Sequence, residues 1–266
     1  MVEPKYPGVV EQYVNMGNCY DRGELSGLRE EIISCMAGYK GCYQRAYRCL
    51  GAAAEIFEDA RTTLLTQPLA EKLARRAQGI LAREVPRNRS AVPGQVKQRF
   101  LGAVTHRGPM CLFDTASAQC ERIYTLADSY GLSHELLVRL LTGITAEGYD
   151  VVACPDPMAP DRLAHLLVPQ LSLAFLTVTA AQPFPGTSSR RIRLDTAADG
   201  DLLRRSRARL RFTRKVSAAL VEEAVDSLAQ AKSMHDDLEA LYNPHVDFAL
   251  VDQIAQRVGD EILSLL

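Results

Sequence analysis

Residues Arg122 to Leu137 read RIYTLADSYGLSHELL, and their reading decides the fold. Ile123, Tyr124 and Leu126 make a short apolar strand, and Ala127 to Ser133 a polar turn. From His134 onward, Leu136, Leu137, Leu140 and Leu141 line one side of an amphipathic helix. Strand, turn and helix in this order is the setting of a phosphate-binding loop, whose working pattern is G-x-x-x-x-G-K-[ST]. Laid over that pattern, the two glycine positions fall on Asp128 and Ser133, the lysine on His134 and the Ser/Thr on Glu135. Gly131, inside the loop, is all that keeps the glycine flavour.

Each departure has a physical cost. Glycines turn backbone N–H groups toward phosphate oxygens through positive φ, which Asp and Ser adopt less readily. Histidine is shorter than lysine and mostly neutral at pH 7. Glu135 puts a carboxylate where a hydroxyl would hold Mg²⁺, and Asp128 puts another beside the phosphate. Like charges about 4 Å apart repel by roughly 4 kcal/mol at an effective dielectric of 20. Two such terms, with the lysine gone, erase ordinary ATP affinity.

The flanking sequence completes an α/β core. Arg99 to Val104 and Met110 to Phe113 read as short strands around a turn at His106 to Gly108. Gly148 ends the helix after the loop. Tyr149 to Cys154 is the next strand and Asp161 to Leu167 a short helix. Leu171 to Val178 is a near-continuous apolar run, as expected of a strand buried on both faces of a parallel sheet. In a protein with a working loop such a strand ends in an acid near the Mg²⁺. Here Thr177 occupies that place, and no carboxylate follows until Asp195. Asp156 lies just past a strand end, where open α/β sheets place ligands. A turn-forming Asp before Pro157 is the plainer reading.

Helices dominate both ends. Between Glu24 and Leu65, Leu25, Leu28, Ile32, Cys35, Tyr39, Cys42, Ala46, Cys49, Ala53 and Ile56 recur at alternating three and four. Cys35, Cys42 and Cys49 share that seam. Successive heptad positions are about 10 Å apart along a helix, so they read as small apolar packing groups rather than a metal cluster. Pro68 opens a second helix, Leu69 to Glu84, which pairs with the first as an antiparallel hairpin. Residues 86–96 are a linker. A long helix from about Gly200 to Tyr242 and a last one, Asp247 to Leu266, make the second hairpin.

The tail of the chain repeats its head. Pro185-Gly186 lies 178 residues after Pro7-Gly8, and Ala224, Leu228, Ala231 and Asp237 stand the same distance after Ala46, Leu50, Ala53 and Asp59. After a small insertion, LAEKLARRA from Leu69 parallels LVDQIAQRV from Leu250. Residues from about Arg99 to Ala181 have no earlier counterpart, so the first copy lacks an α/β core.

The totals exclude some classes. The 266 residues carry a net charge of −1, which argues against a general polyanion or membrane-surface binder. No apolar run reaches membrane-spanning length and no basic-then-apolar leader opens the chain. The cytoplasm is the expected compartment. Seven cysteines without a CxxC pair read as reduced thiols.

On Glu3 to Tyr13 (EPKYPGVVEQY), Glu30 to Ile33 (EEII), Ala46-Tyr47-Arg48, Arg99 to Val104, Tyr149 to Pro157, and Ala231 to Glu239 with its following helix, the chain resembles a largely uncharacterised family of bacterial predicted ATPases with two P-loop NTPase domains in tandem. The resemblance implies an α/β fold with a P-loop NTPase-like parallel sheet core and two long α-helical hairpins. Residues 1–85 would be the hairpin of a first domain without its core, 86–96 the linker, and 97–266 a degenerate domain whose hairpin starts near residue 198. Intact members imply ATP and Mg²⁺. This chain resembles a truncated, degenerate member, in which Asp128, Gly131, Ser133, His134, Glu135 and Thr177 mark where the ligands would have been.

The expectation is a non-catalytic relative with no catalytic residue, metal or cofactor, serving as a scaffold or partner to an intact ATPase relative or to copies of itself. ATP and Mg²⁺ enter only if the family activity persists through atypical ligands. A third reading is nucleic-acid binding through Arg204, Arg205, Arg207, Arg209, Arg211, Arg214 and Lys215. Cations near a helix N-terminus oppose its dipole, so helix stability does not account for them. Against it stand a scarcity of stacking aromatics, with Phe212 alone, and pairing with acids of a neighbouring hairpin.

Overall fold

The computed structural model describes residues 6, 8, 9, 11–88 and 92–265. Residues 1–5, 7 and 10, within the Pro4, Pro7 and Gly8-punctuated stretch that the sequence reads as an extended entry segment (Met1 to Gly17), and the centre of the linker (89–91) lie outside the described residues. In chain order the elements are α1 (Arg22–Gly27), α2 (Arg29–Leu64), α3 (Gln67–Glu84), β1 (Val96–Gln98), β2 (Gly102–Thr105), β3 (Gly108–Cys111), α4 (Phe113–Gln119), β4 (Arg122–Ala127), α5 (Ser133–Ala146), β5 (Val151–Pro155), β6 (Leu163–Val168), β7 (Leu173–Val178), β8 (Arg190–Arg193), α6 (Gly200–Arg205), α7 (Arg207–Tyr242) and α8 (Phe248–Leu263). Residues 43–229 form one compact unit, and residues 1–42 with 230–266 another.

In the larger unit six strands form a mixed, mostly parallel sheet in the order β1-β5-β6-β7-β4-β8, and β2 and β3 pair antiparallel in a separate two-stranded sheet. β4, the strand of the opening stretch, is flanked by β7 and β8, both parallel to it, with Leu126 opposite Thr177 and Ile192. Its neighbour β7 is buried almost throughout, as its apolar run requires. The sheet is not wholly parallel, because β6 runs antiparallel to both β5 and β7. This corrects the short helix expected over Asp161 to Leu167. A six-residue apolar run satisfies a strand or a helix turn equally, and Leu166 and Leu167 gain more by burial opposite Phe175 and Ala174. Ser172, in the left-handed region at φ 49°, closes the turn from β6 to β7.

One face of the sheet is covered by α5 and α3. Leu69, Leu73, Ala77 and Ile80 of α3 join Leu136, Leu137, Leu140 and Ile144 of α5 in a single buried cluster. Gly143 lets these helices approach, since a Cβ there would meet Leu81 Cδ1 at 2.4 Å. Through this cluster α3, the second helix of the first hairpin, packs on the core. The opposite face carries α4, an element the sequence reading did not anticipate, through Phe113 and Ala116.

The partner of α2 is α7, and they run antiparallel. Within the larger unit Asp59 meets Arg209, Ser217 Oγ donates to Ala53 O (3.2 Å), and Arg45 meets Glu223 (3.6 Å). Within the smaller unit Cys35 Sγ donates to Met234 O (3.0 Å) and Cys42 Sγ lies 4.0 Å from Met234 Sδ. The seam cysteines there are packing groups of a helix contact.

The repeat is visible in the helix limits. α1 and α6 start at residues 22 and 200, α2 and α7 at 29 and 207, so both pairs stand 178 residues apart. α2 and α7 each span 36 residues. Asp21 and Asp199, the same distance apart, each cap their helix by accepting two backbone N–H bonds. α3 and α8 start at 67 and 248, after the insertion. Arg45 and Glu223, which face one another, are equivalent positions of the two copies.

Candidate functional site

The loop 128–132 lies between the end of β4 and the start of α5, at the carboxyl ends of three parallel strands. Open α/β sheets place ligands at such ends. Asp128 N–H donates to Val178 O (3.1 Å), which extends the β4–β7 ladder by one residue and fixes the Asp128 backbone. Its side chain, 4% exposed, turns back into the loop. Oδ1 accepts from Tyr130 N–H (3.0 Å) and Oδ2 from Ser133 N–H (2.6 Å). Ser133 is the first residue of α5, and Glu135 N–H is taken by Leu132 O (3.2 Å). A helix N-terminus attracts anions through such free amides and its dipole. Here the anion is a carboxylate of the same chain.

The rest of the loop is held from two sides. Ser129 donates from its backbone N–H and its hydroxyl to the Asp195 carboxylate (2.8 and 2.7 Å). Asp195, the first carboxylate after β7, thus reaches the loop as a structural acceptor. Gly131 takes φ +72°, and a Cβ there would meet Phe57 Cε1 at 3.0 Å. This is the one loop position where glycine is needed for both backbone and space. Its carbonyl accepts from Arg162 Nη2 (2.6 Å).

An ionic cluster covers this corner. Glu58 on α2 accepts from Arg61 Nε (2.7 Å) and Arg162 Nη1 (3.1 Å). Glu135 accepts from Arg61 and from Arg139 (both 3.4 Å). The hydrogen bond from Arg61, joined by the positive field of Arg61 and Arg162, holds the Glu58 carboxyl below the usual range. His134 Nδ1 accepts from Leu163 N–H (2.9 Å), and burial, helped by Arg162, lowers its pKa. His134 is therefore neutral at pH 7 and supplies none of the charge a lysine would.

Five of the six positions expected at the site, Asp128, Gly131, Ser133, His134 and Glu135, come together. Thr177, opposite Leu126 on β7, donates its N–H to His165 Nδ1 (3.2 Å) and its hydroxyl to Ala164 O, both on β6. Asp156 accepts from Met158 N–H (2.8 Å), the turn-forming role. Sequence reasoning missed Glu58, Arg61, Arg139 and Arg162, which carry no local motif. Of the arginine segment, Arg209 is engaged by Asp59 and Arg204 by Asp201, while Phe212 is exposed. The one group of metal-ligand type among the described residues, His235, Asp236 and Glu239, is exposed. Its members are engaged locally, His235 with Glu239 and Asp236 with Lys232.

On the other side of the sheet, His165 is 7% exposed and lies between Thr177 N–H and Cys111 Sγ. Because Nδ1 accepts a backbone N–H, the ring proton belongs on Nε2, which points at Cys111 Sγ (3.7 Å). That tautomer leaves Nε2 no lone pair for a metal. Burial pushes the Cys111 and Cys154 thiols up to about 11 and about 12, so both are protonated and unreactive at neutral pH.

Among the described residues no helix is long and apolar enough to cross a membrane. No protein-family model, curated protein or solved structure matches the chain.

Two outcomes follow from these contacts. Asp128→Ala removes the acceptor of two amides in a buried loop and should cost about 1–3 kcal/mol in denaturant unfolding. Asp128→Asn keeps one acceptor and should fall between that variant and the parent. Burial lowers the His165 pKa to about 4 from the ordinary 6.5. Between those values the unfolded chain binds more protons, so this stability is present above about pH 6.5 and is lost as pH falls toward 4. From pH 7.5 to 5 the loss should be roughly 2 kcal/mol, and His165→Gln should abolish that slope in unfolding curves.

Proposed function

We propose that this protein is a non-catalytic relative of the P-loop NTPases that acts as a scaffold or partner. One observation carries the reading: the start of α5, where a triphosphate would bind, is held by the Asp128 carboxylate on Ser133 N–H at 2.6 Å. A phosphate taking that seat must displace a carboxylate that is 4% exposed. A buried, uncompensated charge costs several kcal/mol, which consumes much of the roughly 8 kcal/mol behind a micromolar complex. Arg61 and Arg162, the nearby cations suited to phosphate, are already engaged by Glu58. The mixed sheet is compatible with this ancestry in its β4–loop–α5 corner and departs from an all-parallel core at β6.

Isothermal titration with Mg-ATP at pH 7.5 tests the reading. The expected result is no heat of binding up to millimolar nucleotide; micromolar binding would overturn it.

A further inference from the structure

The repeat supplies a comparison between surfaces. In the second copy Ile192 and Leu194 are 7% and 0% exposed, covered because β8 pairs with β4 and Leu194 N–H donates to Ala127 O (2.9 Å). The equivalent residues of the first copy, 178 positions earlier, are Val14 and Met16, which are 36% and 39% exposed. The same contrast holds for the second helix of each copy. Leu69, Leu73 and Ala77 of α3 are buried under the α/β core. Their equivalents on α8, Leu250, Ile254 and Val258, are half-buried, and no residue of α8 is fully buried. Leu81, which fits against Gly143, corresponds to Ile262, which is 56% exposed.

Two separate elements of the smaller unit, the segment around residues 12–16 and helix α8, therefore leave exposed or only half-buried the residues that an α/β core covers in the larger unit. An apolar stripe is kept on both copies of the helix, although the described structure buries it on α3 alone. We propose that this face of the smaller unit seats a second α/β core of the kind built by residues 96–197, carried on another polypeptide segment. That core lays a strand parallel to residues 12–15 and a helix against Leu250, Ile254, Val258 and Ile262. By analogy with Gly143, the docking helix carries a small residue opposite Ile262. The proposal gives the scaffold reading its partner and rests on it for that role. It makes no use of the loop, so nucleotide titration and the experiment below fail independently.

The test is site-specific photo-crosslinking of the full chain in its own cells. A benzophenone side chain is introduced at Ile254, at Val14 and, as a control, at the exposed Glu222. The expected result is one adduct shared by positions 254 and 14 and absent at 222. Mass spectrometry should identify its partner as a protein with a strand–loop–helix α/β core. Ile262→Asp, at a position the chain's own packing leaves exposed, should weaken the adduct at position 254 by about tenfold or more, because docking would bury the new charge. Adducts between two copies of this chain, an adduct to a protein without such a core, equal labelling at 222, or no adduct at either site would overturn the proposal.

Discussion

The hydrogen bond from Ser133 N–H to the Asp128 carboxylate sets the character of the molecule's best-placed corner. A strand feeding a helix through a short loop concentrates free amides and the positive end of a dipole at one point. Such a point requires an acceptor. Where glycines leave it open, a phosphate fills it from solution; where an aspartate ends the strand, the chain fills it itself. Charge-assisted bonds of this kind contribute about 1.5–3 kcal/mol each. What would be a binding feature thereby becomes a stabilising one, and the ionic cluster of Glu58, Arg61, Arg162 and Glu135 extends it to α2.

A second constraint is the duplication. α2 and α7 lie antiparallel, and the equivalent alanines of the two helices, Ala46, Ala53, Ala224 and Ala231, are all 0% exposed. Small residues let helix backbones approach, and larger ones there would force the helices apart. Both copies contribute to this helix contact, and their surroundings differ elsewhere. One has an α/β core bearing on its second helix, and the other has the helix with its stripe only half-buried.

Much of this was legible in the chain, for identifiable reasons. β4 and α5 were readable because an apolar run, a polar turn and a three-four spacing follow one another without ambiguity. α2, α3 and α7 were readable from periodicity, and their duplication from the constant offset. β6 was not, because LAHLLV satisfies either a strand or a helix turn and only its neighbours β5 and β7 decide. At the site, Asp128 was recognisable as a negative charge in the wrong place for phosphate, but its role as the acceptor for α5 depends on loop geometry. Arg162 meets Glu58 across 104 residues, a pairing that local sequence does not encode.

The central claim is that the chain's own carboxylate occupies the anion seat at the start of α5. A crystal structure of the protein soaked in a high concentration of Mg-ATP tests it most directly. The account predicts Asp128 Oδ2 still on Ser133 N–H, with no phosphate density over residues 128–135. Phosphates seated on those amides, with the Asp128 side chain swung away, would contradict it.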